Sequence, residues 1–583
     1  MKLSKRSSVL IATGAAGAMA LSACGGGSDS GGGGGDSADG GGGGGRVVFG
    51  ESTDFPENLF PLISAGNATS VANIEAQLFP SVFNLQPDFT VTPNEDLVTD
   101  DPTSEVTGDT QVVTYHLNPD AVWSDGEPIS VDDFEFTWRA HRSSDPATGG
   151  CPSLLSTVGY DQMQSVEGAD GGKTVTVTYS PPFADWQSSF TGASDPILPA
   201  HIMDKPTPEE ICTEITDGWP IADGIPSDIS GGPWQLKKEN INAGQQIVIL
   251  TPNANYWGEK PNLDQLIIQN IGNDPTTAVQ GLQSGELGVI YPQPQLDLVS
   301  QIKDLAPNVE NETNFGLSFE HVDLNTQDPH LADVNVRRAF ALALDRSQIV
   351  AQTVGQFSSD AEVLNNRIWL TNQPEYENTA PEQYQSQNTA MAKQLLEQSG
   401  YTMQPNGFYS KPGVGELDIQ INTTANNPLR QTTIEVMIPQ LKAAGINATF
   451  NANPDIFAGA DKPTSLEAGG FQAALFAWVG NPFVSSAQSI YQTPQGANIG
   501  QNYARIGTPE IDALFAELRT TPDRQEQARI GNQIDTLLWE LMPTIPLYQK
   551  PTFLAWNSNI QGPVDNPTQA GPLWNSSTWS LQQ

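Results

Sequence analysis

Glu167–Thr174 reads EGADGGKT, with glycines, a lysine and a threonine of the kind that hold phosphate on backbone N–H groups. That loop needs four residues between its glycines and a helix after the threonine. Here Gly168 and Gly172 enclose three, and Lys173–Tyr179 (KTVTVTY) alternates like a strand, so the stretch is a hairpin turn. The histidines His116, His141, His201, His321 and His330 show no H-x-H or H-E-x-x-H spacing, and no metal site is expected. No G-x-S-x-G elbow offers a nucleophile. With 67 acidic residues, carboxylate pairs arise by chance, and none is singled out as an acid–base couple. The chain reads as a non-enzyme with no catalytic residues and no cofactor.

The elements point to an α/β chain. Val47–Gly50, Asp109–Leu117 (DTQVVTYHL) and Lys173–Tyr179 carry the β-branched and aromatic alternation of strands. Ser130-Val131-Asp132-Asp133 is a capping box opening a helix, with Phe134 and Trp138 on one face. Val334–Val354 shows helical spacing throughout, and Arg337, Arg338 and Asp345 on it read as a surface or interlobe ion-pair set. Thr389–Gln398 is a helix stopped by Gly400, and Pro428–Ala444 one bent at Pro439, ended by Gly445 and followed by the strand Ile446–Phe450. Pro509–Thr520 and Asp523–Leu541 are two more. No internal repeat occurs. The 583 residues exceed one ordinary core and suggest two lobes. The net charge of −41, spread along the chain, argues against nucleic acid or anionic lipid as partner.

The N-terminus is different in kind. Lys2, Lys5 and Arg6 precede an apolar run, Val9–Leu21, of signal-peptide length and too short to span a bilayer. Leu21-Ser22-Ala23-Cys24 resembles a bacterial lipobox, which implies cleavage before Cys24 and lipidation of its thiol. Gly25–Gly45 contains fourteen glycines in twenty-one residues, the rest Ser, Asp and Ala, and has nothing to bury. It reads as a flexible tether. Cys151 and Cys212 remain as an even pair in an exported chain. A disulfide between them has a structural role, worth about 4 kcal/mol in the chain-entropy model.

Five stretches, in order, resemble one family. They are Leu117–Arg139 (LNPDAVWSDGEPISVDDFEFTWR), Gly231–Ile268 (GGPWQLKKEN…LTPNANYWGEKPNLDQLII), Val279–Gly288 (VQGLQSGELG), Val336–Ile349 and Ala392–Tyr401. Together they are similar to the large extracytoplasmic solute-binding proteins of peptide and oligopeptide ABC importers, across residues 46–583. Taken alone, most of these residues are scaffold: Asp125-Gly126 is a tight turn, and Trp123 and Trp257 are core side chains. The resemblance implies an α/β, two-lobed periplasmic-binding-protein fold with hinge-linked lobes and an extra subdomain in the N-terminal lobe. The expected domains are a signal peptide at 1–23, the lipidated Cys24 and linker at 24–45, lobe I at 46–315 with a subdomain at about 85–215, lobe II at 316–545, and a return to lobe I at 546–583. The chain crossings are expected near Asn314–His321 and Ile545–Gln549.

The resemblance also places the ligand. Phe476–Phe483 (FAWVGNPF) looks like the family's cleft segment W-x-x-D, whose Asp pairs with a peptide ammonium. Trp478 keeps the aromatic and Asn481 replaces the Asp, with Gly480 and Phe483 beside them. Around Thr424–Pro428, Thr424 stands where dipeptide-specific relatives carry an Arg, with Arg430 nearby. An amide accepts a weaker hydrogen bond from an ammonium than a carboxylate does. A longer peptide held by its backbone, or an uncharged solute such as an oligosaccharide, fits these departures better than a dipeptide. Thr53, Asp54, Phe55 and Asn58 are further cleft candidates. The implied partners are a small solute and an ABC permease, with the membrane touched through the lipid alone and the protein a monomer. The rival readings are a glycan- or lipid-binding envelope protein on the same fold, and a tethered hydrolase.

Overall fold

The computed structural model describes residues 44–582 apart from 193, 194, 273, 481 and 497. The leader, Cys24, the linker and Asn481 lie outside the described residues. The body is built on two large sheets. The first has seven strands. Arg46–Glu51 lies at its centre, parallel to Gln265–Asn270 on one side and to Val289–Ile290 on the other. Ile247–Pro252 and Trp234–Asn242 continue it on one flank, and Leu554–Asn557 and Val309–Glu312 on the other. The second sheet has five strands in the order Asn447–Asn453, Asp418–Thr424, Ala473–Trp478, Phe315–Leu324, Thr544–Pro551. The fold is therefore mixed α/β and two-lobed.

A four-stranded antiparallel sheet, Thr103–Thr107, Thr110–His116, Thr174–Tyr179 and Met163–Ala169, is added to the first lobe. Its last two strands form the hairpin that EGADGGKT turns. Helix Val131–His141 packs on it, opened by the Ser130–Asp133 capping box. One hydrophobic cluster runs from this sheet into the seven-stranded one, joining Val113, Tyr115 and Val177 to Phe49, Leu250 and Ile268. The addition is thus welded to the lobe by shared core. Cys151 and Cys212 form a disulfide in the same lobe. No helix of the described residues is long and apolar enough to cross a membrane.

Two sequence expectations need correction. The helical spacing of Val334–Val354 yields two helices, Val334–Ala343 and Arg346–Gln352, because Leu344 is extended and the Asp345 side chain caps the second helix at Gln348 N–H. Arg337 is buried, not at the surface. Its guanidinium donates to the carbonyls of Leu331, Leu541 and Met542, closing the C-terminal end of helix Arg524–Leu541 where cations are favoured. Helix Pro428–Ala443 continues through Pro439.

Candidate functional site

The chain passes between the sheets twice, and the register fixes which edges meet. Glu312 ends a strand of the seven-stranded sheet and Phe315 begins one of the five-stranded sheet; Pro551 ends the return strand and Leu554 resumes the first sheet. Thr552 N–H donates to the Asn314 carbonyl at 2.8 Å, so the two crossings are tied side by side. Asp565 accepts from Tyr291 Oη and Asn314 Nδ2 at 2.8 and 2.9 Å and from Thr552 Oγ1, and its burial raises its carboxyl above the usual range.

Following strand direction outward from these crossings locates the rest. Arg46–Glu51 and Val289–Ile290 end at the crossing edge of the first sheet, which presents Thr53, Asp54 and Gln293. Asp418–Thr424 and Ala473–Trp478, parallel to one another, end at the crossing edge of the second, and Lys550 reaches the same edge on the return strand, beyond Phe315–Leu324. Between the edges lies a narrow crevice, lined by Gly272, Pro275, Gln293 and Leu298 of one lobe and Asn427 and Leu429 of the other. Ligands of open α/β sheets sit outside carboxyl strand ends in the same way.

Trp478 pairs with Phe319 across the strands and stacks near-parallel on His321 (centroids 5.8 Å, 8°) and on Tyr503 (5.7 Å, 13°), with the Phe476 ring edge-on at 5.1 Å. Its indole Nε1 is buried and has no acceptor among the described residues. Gly480 donates its N–H to the Leu317 carbonyl at 3.0 Å, and a Cβ there would stand 2.3 Å from that oxygen. Glycine is required by close approach. Phe483 is buried.

Thr424 Oγ1 accepts from Arg430 Nη1 at 2.8 Å. The other guanidinium nitrogens of Arg430 hold the buried Glu320 carboxylate at 3.0–3.2 Å. Arg430 is therefore engaged within the lobe. In the first lobe, Thr53 is exposed and its N–H and hydroxyl bind the Glu51 carboxylate, whose burial raises its pKa. Asp54, also exposed, accepts from Asn270 Nδ2 at 2.9 Å. Phe55 belongs to the core. Asn58 is buried with its amide bound to the backbone of Phe60, Trp219 and Asp217, a scaffold position. So Trp478, Gly480 and Thr424 share one edge, Thr53 and Asp54 face it from the other, and Phe55 and Asn58 stand behind.

Sequence reading missed Lys550, Gln293 and a third zone, far along the chain from the crossings. There Asp185 accepts from Ser485 N–H at 2.9 Å and Gln527 Nε2 at 3.4 Å, Asp161 pairs with Arg519 at 2.8 Å, and Ala184 N–H donates to the Arg519 carbonyl at 2.6 Å. These bonds join the added sheet of the first lobe to the helical part of the second. A lone lysine in the apolar run IPLYQKP was the one visible signal among these.

Known proteins bear on this geometry. The model of bacterial extracellular solute-binding proteins, family 5 (middle), matches residues 92–500. The oligopeptide-binding protein OppA of Mycobacterium tuberculosis is 27% identical over 527 residues, covering 87% of this chain and 80% of OppA. Among solved structures, the periplasmic EDTA-binding protein EppA superposes with a TM-score of 0.80 at 27% identity, covering 93% of this chain and 97% of EppA. The oligopeptide-binding protein AppA of Bacillus subtilis, bound to a nonapeptide, superposes at 0.75 with 22% identity over 93% and 100% of the two chains.

Proposed function

The chain belongs to family 5 of the bacterial extracellular solute-binding proteins, and from that premise we propose that it is the membrane-tethered receptor of an ABC importer, capturing peptides or a solute of similar size between its lobes. The observation that carries the reading is the pair of facing strand edges, with the buried Trp478 indole N–H left without an acceptor among the described residues. A buried donor left without a partner costs about 1–3 kcal/mol, which a bound acceptor relieves. The OppA relative supports a peptide; the EDTA-binding neighbour supports a wider range of solutes on the same scaffold. Closure would turn on the paired crossings at Asn314 and Thr552 and be held at the far side by Asp185 and Arg519. Lipidation at Cys24 would hold the receptor near its permease, with the glycine-rich linker setting its reach.

Native mass spectrometry of the full chain, isolated from producing cells without refolding, tests this. Release of peptides on unfolding is the expected result. Release of a glycan or lipid would overturn the peptide reading in favour of an envelope protein on the same fold.

A further inference from the structure

We propose that Lys550 selects the solute: its ammonium receives a carboxylate of the captured molecule. This rests on the reading of the interlobe space as the ligand site, and deepens it by naming the charge the ligand must carry.

Lys550 is the next-to-last residue of the return strand, beside the crossing, where Pro551 pairs with Phe315 and Gln549 with Phe319. Strand alternation puts it on the face of Tyr548, which lies opposite Glu320 under helix Pro428–Ala443. The Tyr548 hydroxyl is 3.5 Å from Thr433 of that helix, and Lys550 is one step nearer the other lobe. Two cations and one carboxylate therefore meet there. The carboxylate is taken: Glu320 receives three contacts from Arg430, and the remaining arm of Arg430 goes to Thr424. Among the described residues, no carboxylate or other acceptor lies within bonding distance of Lys550 Nζ. Burial and the neighbouring Arg430 push the ammonium down to about 8, only partly offset by Glu320.

Two further polar atoms at the facing edges are donors. Gln293 Nε2 lines the groove from the first lobe and is a buried donor without an acceptor among the described residues, as is Trp478 Nε1 from the second. The lobe I carboxylates there are already engaged, Asp54 by Asn270 and Asp274 by Thr276 N–H. What these donors lack is an acceptor of their own among the described residues. A carboxylate, with two oxygens and four lone-pair sites, supplies it to a lysine and a neighbouring amide together.

The test uses the full chain and three probes: a pentapeptide pool without Asp or Glu and with free C-termini, the same pool amidated, and EDTA. Wild type, K550M and K550R are titrated calorimetrically. We expect wild type to bind the free acids about tenfold or more tightly than the amides, K550M to lose that preference, and K550R to keep it. EDTA binding that K550M abolishes, with no peptide bound at all, would support the lysine role while overturning the peptide reading. Equal binding of acids and amides by wild type, an unchanged preference in K550M, or no binding of any probe to wild type overturns the proposal. K550M melting no lower than wild type separates lost recognition from lost folding.

Discussion

Replacing Asp185 by alanine should loosen the grip between the lobes without touching either core. The Asp185 carboxylate accepts the Ser485 N–H at 2.9 Å in a buried setting, at the start of the short helical turn Val484–Ala487. A charged acceptor on a buried N–H contributes about 1.5–3 kcal/mol. Gln527 at 3.4 Å adds little. With the lobes apart both groups are hydrated, so the whole loss falls on the closed state, and the closed-to-open ratio drops by about 10- to 150-fold. Arg519 and Asp161 are partly exposed, and Arg519→Ala, which leaves its carbonyl on Ala184, should cost only about 0.5–1 kcal/mol. Amide hydrogen exchange reads this directly. In Asp185→Ala, Ser485 and Ala184 should exchange at least about tenfold faster, while Val322 and Leu475 in the second core stay protected. Ser485 and Ala184 exchanging at the wild-type rate would refute the clasp.

Trp478→Phe retains an aromatic ring against His321 and Tyr503 but deletes the unpartnered N–H; ligand affinity should fall by about 5- to 30-fold, and an unchanged Kd for the peptides recovered from the native protein would move the ligand elsewhere. Gly480→Ala drives a methyl to 2.3 Å from the Leu317 carbonyl and should lower stability by about 1–3 kcal/mol in urea unfolding; equal midpoints would mean that the loop moves freely. Lys550→Met should stabilise the ligand-free protein by about 1–3 kcal/mol at pH 7. Because the folded ammonium titrates near 8 and the unfolded one near 10.5, the penalty is complete below about pH 8 and gone above about 10.5. The advantage of the variant should therefore vanish as pH rises through that window, and an advantage that persists at pH 11 would point to packing instead of charge.

Local signals carried well where local chemistry decides. The Ser130 capping box, the hairpin over EGADGGKT and helices Thr389–Gln398 and Pro509–Thr520 stand where caps, turns and periodicity put them. Arg337 was misjudged because its partners are the carbonyls of Leu541 and Met542, some two hundred positions away, and no spacing reports a helix end that arrives from elsewhere. The break at Leu344 has the same origin: apolar spacing runs on, while Asp345 binds Gln440 and caps a new helix. The clasp joins residues three hundred or more positions apart. The expectation for Trp478 and Thr424 came from a family pattern, and periodicity alone would have left Trp478 in a core strand.

The charges at the second sheet's edge explain why Arg430 is a poor choice for the ligand's counter-ion and Lys550 a better one. Removing one partner of the buried Arg430–Glu320 pair leaves an uncompensated charge, at a cost of about 3–5 kcal/mol, so a ligand that captured Arg430 would have to repay the loss to Glu320. Lys550 gives up nothing when it binds. It is held near a like charge, and an arriving carboxylate would remove that strain and add its own attraction. Glu320 offsets Arg430, and Lys550 is left as a cation without a bonded acceptor among the described residues.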